Sequence, residues 1–170
     1  MSDKNYKQIL NDIKAFVFDV DGVLTDGKLH ISESGELLRQ MNVKDGYAMK
    51  QAIKKGYEIC IISGGNNPAV KSRLKTLGIT NIYLGVDDKM EKLDEYSDIY
   101  NVSFKNMCYM GDDIPDMEVM QEVALATCPQ NAVPEIKAIS QYVSHRNGGD
   151  ACVRDIIEQV MKVQHNWIKL

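Results

Sequence analysis

The sequence predicts an α/β protein, a parallel sheet wound with helices on both faces and carrying one inserted β-hairpin. Two observations lead there. Short apolar runs alternate with amphipathic stretches along nearly all of the 170 residues, the pattern of strands joined by crossover helices. Several of those runs also stop at small or acidic residues, as at Asp19-Val20-Asp21-Gly22, Ser63-Gly64-Gly65 and Gly111-Asp112-Asp113.

The elements follow in order. Ala15–Phe18 reads as a buried strand. Residues 28–31 and 37–43 flank Ser32-Glu33-Ser34-Gly35, a hairpin turn. Residues 46–55 read as a helix stopped by Gly56, and residues 58–62 as a second buried strand. Asn67-Pro68 opens a helix that ends near Gly78, since proline is preset for a first helical turn. Residues 81–84 form a third strand, 89–100 an amphipathic helix and 107–110 a fourth strand. A helix begins near Pro115. Edge strands are expected at 124–127 and 142–144, and a closing helix at 151–163. No repeat, low-complexity tract or linker divides the chain, so residues 1–170 are read as one domain.

Composition narrows the function classes. Apolar residues make up 44%, enough for a proper core, and the formal net charge of −4 argues against a basic nucleic-acid-binding face. No apolar run approaches the length of a membrane span, and the polar stretch 1–14 has no signal-peptide core. Cys60, Cys108, Cys128 and Cys152 are widely spaced without a CxxC pair, which suits reduced thiols in the cytoplasm.

The polar residues at the strand ends carry the chemistry. In a parallel sheet, ligands bind beyond the carboxyl ends of the strands, so these residues are expected along one rim. Asp19 and Asp21 form a carboxylate pair that resists double ionisation unless a cation balances it, which favours a hard divalent ion such as Mg²⁺. Taken alone, the segment reads equally well as a turn. Asp112 in Gly111-Asp112-Asp113-Ile114-Pro115-Asp116 is the better candidate for completing a metal's ligands, while Asp116 also fits a helix cap or a loop anchor. Ser63 and the N–H of Gly64 form a possible phosphate cradle, although a glycine-rich turn alone would look the same. Lys89, rather than its competitor Lys92, starts a helix just beyond the third strand, where it can reach the rim.

The order Asp-x-Asp, Ser, Lys, Gly-Asp-Asp, each element after an expected strand, resembles the haloacid dehalogenase superfamily of phosphotransferases. The likeness rests on Phe18-Asp19-Val20-Asp21-Gly22-Val23-Leu24-Thr25, Ser63, Lys89 and Gly111-Asp112-Asp113-Ile114-Pro115-Asp116. It implies a Rossmann-like three-layer fold. Only a hairpin, about 28–43, follows the first motif, so the chain resembles the members without a cap domain. Asn42-Val43-Lys44-Asp45-Gly46-Tyr47 and the tail segment Gly148-Gly149-Asp150-Ala151-Cys152-Val153-Arg154-Asp155 are similar to the phosphatases of 3-deoxy-D-manno-octulosonate 8-phosphate, which act in lipopolysaccharide sugar synthesis. The tail departs from that pattern: the family has Gly-Ala at Ala151-Cys152 and Glu at Asp155.

What the resemblance implies is specific. Asp19 is the nucleophile, and Mg²⁺ is held by Asp19, the carbonyl of Asp21 and Asp112. The Asp21 side chain serves as general acid and base, while Ser63 and Gly64 hold phosphoryl oxygens. Lys89 balances negative charge, with Asp113 and Asp116 in support. Arg73 and Arg154 are candidates for a sugar carboxylate, although each also reads as a solvated surface arginine. The family is a homotetramer whose hairpins associate and whose tails help close neighbouring sites. Three rivals stay open: a phosphatase of a nine-carbon keto-sugar acid, a receiver-like switch, and a catalytically silent regulatory module. The receiver fits less well, because its phospho-acceptor lies on a middle strand, where this chain has Ser63.

Overall fold

The computed structural model describes residues 6–168, so the start of the polar stretch 1–14 lies outside the described residues. Six parallel strands form one sheet: β1 (Ala15–Phe18), β4 (Glu58–Ser63), β5 (Asn81–Leu84), β6 (Met107–Met110), β7 (Leu125–Cys128) and β8 (Tyr142–Val143). Their order across the sheet is β5-β4-β1-β6-β7-β8. From β1 the chain winds outward through β4 and β5, then crosses back to β6 on the other side. The winding therefore reverses at β1, and the crevice above its carboxyl end is the natural ligand site of such a sheet.

Alternation along each strand builds the two cores. Phe16, Phe18, Ile59, Ile61, Cys108 and Met110 face one side, under α1 (Tyr6–Asp12), α2 (Val43–Lys54), α3 (Pro68–Thr76) and α7 (Cys152–Val163). Val17, Cys60, Ile62, Tyr109 and Ala126 face the other, under α4 (Lys89–Tyr100), α5 (Met117–Glu122) and α6 (Pro134–Ile139). All four cysteines are buried and free. Among the described residues no helix is long and apolar enough to cross a membrane.

The hairpin is shorter than the sequence suggests, with strands β2 (His30–Ile31) and β3 (Leu37–Leu38). It is the only structured insertion between β1 and α2, so the described chain has no cap domain. Helix α2 begins three residues earlier than expected. Asn42 is its N-cap, with Oδ1 accepting from Lys44 N–H at 2.9 Å, and this bond offsets the entropic cost of Gly46 within the first turn. Helices α1 and α6 went unread: each is short, and propensity alone does not nucleate so few turns.

Candidate active site

The first loop is shaped before any ligand arrives. After β1 the chain makes a wide turn closed by Thr25 N–H to Val20 O at 3.0 Å, with Gly22 at φ 94°. Thr25 is fully buried, and its Oγ1 accepts from Gly22 N–H and Gly27 N–H and donates to Val20 O, each at 3.3 Å. A distant segment completes the loop. Gly149 N–H donates to Val23 O at 3.0 Å, and a Cβ on Gly148 would fall 1.8 Å from Gly22 O. The paired glycines of the tail motif therefore dock on this chain's own Asp19 loop.

The fourth loop meets the first from across β1. Asp19 N–H donates to Met110 O at 3.1 Å, and a Cβ on Gly22 would overlap the Asp112 carboxylate. Asp116, also buried, has both oxygens hydrogen-bonded. Its Oδ1 accepts from Lys89 Nζ at 2.6 Å and from Tyr109 OH at 2.7 Å, and its Oδ2 accepts from Asp112 N–H at 3.1 Å. It therefore anchors the loop rather than offering a free ligand atom. Gly111 is required there, because a Cβ would strike Asp116 at 2.4 Å. Asp113 accepts from Ile114 N–H at 2.8 Å.

Lys89 joins the two loops. Asp88 caps α4, its Oδ1 accepting from Met90 N–H and Glu91 N–H at 2.9 Å each, and so fixes Lys89 at the first helical position. The ammonium then lies 3.0 Å from Asp19 Oδ1 and 2.6 Å from Asp116 Oδ1. Burial opposes its charge, but the two carboxylates win and hold its pKa above the ordinary value. Lys92 instead pairs with Glu95 and lies over the Tyr83 ring.

Ser63 ends β4 and is buried, its Oγ accepting from Gly65 N–H at 3.2 Å. With Asp19, Asp21, Gly64, Lys89, Asp112 and Asp113 it lines one cleft of about 740 Å³. The structure thus brings eight of the ten candidates to one place: those seven and Asp116, which also lines the cleft.

The donor set fits a hard divalent cation. Carboxylate oxygens of Asp19, Asp112 and Asp116 lie within 4.8 Å of one another, and because both Asp116 oxygens already accept hydrogen bonds, Asp19 and Asp112 are the freer ligands. Burial first, then the charge of Asp116, pushes the Asp19 carboxyl up to about 7 against the pull of Lys89. Burial, then Asp19, Asp116 and Asp113, raises Asp112 to about 7 as well. Asp112 Oδ1 is buried with no hydrogen-bond partner. Two crowded, oxygen-rich acids and an orphaned acceptor are what a Mg²⁺-type ion would satisfy.

Arg73 and Arg154, the candidates for a sugar carboxylate, do not line this cleft. Arg73 lines a separate groove between the hairpin and α3, with Leu37, Leu38 and Asn67. Arg154 pairs with Glu158 at 2.5 Å and sits 5.7 Å from the ring centroids of both Tyr47 and Trp167.

Two other residues were not anticipated. Arg39 Nε donates to Asp21 Oδ1 at 2.6 Å; its signal was a lone arginine after the apolar hairpin arm. Asp45, 1% exposed, lies within the motif already noted, and its Oδ1 accepts from Arg154 N–H at 2.7 Å. It caps α7, whose own N-cap residue Ala151 supplies no side-chain bond.

A buried aspartate at the winding reversal, a lysine bridge and a second acidic loop define a haloacid dehalogenase-like hydrolase, and the chain belongs to that family. The family model described as haloacid dehalogenase-like hydrolase matches residues 84–156. Within the family, this chain is a phosphatase. It is 33% identical over 153 residues to the 3-deoxy-D-manno-octulosonate 8-phosphate phosphatase KdsC of Salmonella typhi, covering 90% of this chain and 81% of that protein. The fold superposes on the crystal structure of the Yersinia pestis 3-deoxy-D-manno-octulosonate 8-phosphate phosphatase with a TM-score of 0.92 at 31% identity, covering 94% of this chain and 86% of the other. The Moraxella catarrhalis phosphatase of the same name, solved with magnesium, phosphate and KDO, gives 0.91 at 31% identity, covering 94% and 92%.

Proposed function

We propose that this phosphatase hydrolyses 3-deoxy-D-manno-octulosonate 8-phosphate to the free sugar acid and inorganic phosphate, in the cytoplasm, as a step of lipopolysaccharide synthesis. The observation that carries the reading is the convergence of Lys89 and Asp112 on Asp19. The relatives' substrate supports the sugar acid.

Asp19 is the nucleophile. One of its oxygens is held by Lys89 at 3.0 Å, and the other is left for phosphorus. Asp19, Asp112 and the carbonyl of Asp21 would hold Mg²⁺, which when bound supplies the positive charge that lets a carboxylate approach a phosphate dianion. Ser63 and the N–H of Gly64 receive phosphoryl oxygens, and Lys89 offsets the charge that develops on them. Asp21 gives a proton to the departing sugar oxygen as an aspartyl phosphate forms on Asp19. Water then attacks phosphorus and passes its proton to Asp21. The bond to Asp19 breaks, and phosphate leaves.

The hairpin supports a homotetramer. Leu29, Ile31 and Leu37 lie on one face of the hairpin and Leu38 on the other, and all four are exposed, Ile31 at 73% and Leu38 at 54%, leaving apolar surface suited to burial between subunits. Purified protein assayed against phosphorylated sugar acids is expected to prefer the eight-carbon acid, to fall silent with chelator and to recover with Mg²⁺. Metal-independent turnover, or equal rates on eight- and nine-carbon acids, would overturn the reading.

A further inference from the structure

Beside the cleft, Asp21 forms an ion pair with Arg39. Arg39 follows β3 and is almost enclosed, its side chain 10% exposed. Its Nε donates to Asp21 Oδ1 at 2.6 Å and its Nη2 to Asp21 Oδ2 at 3.4 Å, a fork gripping both carboxylate oxygens. Its Nη1 donates to Leu37 O at 3.3 Å, the same carbonyl that accepts from Asn67 Nδ2 at 3.3 Å. Asn67 is the N-cap of α3, so the clamp is tied to both the hairpin and the main domain. Space for it depends on Gly65, where a Cβ would lie 2.7 Å from Asp21 Oδ2 and 3.7 Å from Arg39 Nη2.

Such a fork does more than neutralise charge. A single-point contact lets a carboxylate pivot, whereas two parallel donors fix its plane. The reaction needs one defined Asp21 orientation during hydrolysis of the aspartyl phosphate, when the side chain must take a proton from the attacking water. Resting on the assignment of Asp21 as the proton-transfer group, we propose that Arg39 is a positioning residue for the second half-reaction. It couples that step to the seating of the hairpin.

The test uses p-nitrophenyl phosphate, whose leaving group departs without a proton, so formation of the intermediate is insulated from Asp21. In Arg39→Ala, kcat is expected to fall ~10–100-fold, the cost of misplacing a catalytic group by about an ångström. KM should fall with it, and acid-quenched protein should carry more phosphorylated chain by mass spectrometry. Arg39→Lys should recover part of kcat. Arg39→Gln, which keeps a donor but not the fork, carries the same test if the alanine variant does not fold. Asp21→Asn is the reference and should accumulate phosphoenzyme more strongly. If Asp21→Asn accumulates it while the folded Arg39 variants merely slow without doing so, the clamp is overturned. If Asp21→Asn does not accumulate it either, the proton-transfer assignment of Asp21 falls, and the clamp with it.

Discussion

The rim of the sheet and the hairpin that leaves it are built on opposite plans. At the rim, Asp19, Lys89, Tyr109 and Asp116 are buried, and each is tied to another member of the group. The hairpin has two strands of two residues each, with large apolar side chains in water. A reaction centre needs groups held within fractions of an ångström, which only packed elements supply. A border that meets another molecule needs reachable apolar surface instead. The contrast teaches that packing within one chain fixes the groups at the rim, while the hairpin leaves apolar surface open to a partner.

The largest expected effect lies at the rim. Asp19→Asn should cost at least ~10⁴-fold in kcat on p-nitrophenyl phosphate while the circular dichroism spectrum stays unchanged, as for removal of other nucleophiles. Near-normal turnover would break the comparison at once. Asp112→Asn comes next. It should require far more Mg²⁺ for half-maximal activity, yet melt at a higher temperature than the parent in chelator, because one crowded buried charge is gone. A lower melting temperature in chelator would mean that Asp112 is already satisfied without a cation.

Asp45 sharpens the contrast from within the scaffold. Burial, set against hydrogen bonds from the backbone of Arg154 and Ala151, pushes its carboxyl from 3.8 up to about 6. A carboxyl raised on folding stabilises fully below its unfolded pKa, and that contribution disappears as pH climbs through the folded value. Chemical denaturation should therefore show stability declining from pH 4 to pH 7, on the order of 2–3 kcal/mol from this group. Asp45→Asn should remove that share of the decline, leaving the part due to Asp19 and Asp112, and an unchanged slope would assign it wholly elsewhere. The smallest effect belongs to the hairpin. Ile31→Glu with Leu38→Glu should alter the subunit's melting by less than ~0.5 kcal/mol, the usual size of surface changes. The solution mass should drop to a smaller assembly. Marked unfolding would show that the hairpin's apolar surface is part of the subunit's own core.

The legible parts of the sequence were those in which local pattern and tertiary role coincide. The apolar runs that became β1, β4 and β6 are buried on both faces almost throughout, so nothing competes with their reading as strands. Lys89 and Asp112 were legible because each follows a strand end, and strand ends converge. Arg73 and Arg154 were not resolvable that way: a helix position fixes a face but not the neighbour it meets. Arg39 was missed for the same reason, since its meaning comes from Asp21, eighteen positions upstream. Asp45 looked like part of a recognition motif, and its cap on α7 joins residues 109 positions apart.

The docking of Gly148 and Gly149 on the Asp19 loop has a consequence for biosynthesis. Asp19, the proposed nucleophile, is synthesised about 130 residues before Gly148 and Gly149, which complete the turn that presents it. An emerging chain therefore carries Asp19 long before it can aim it, and the loop takes its final shape only once the paired glycines ahead of α7 have been made.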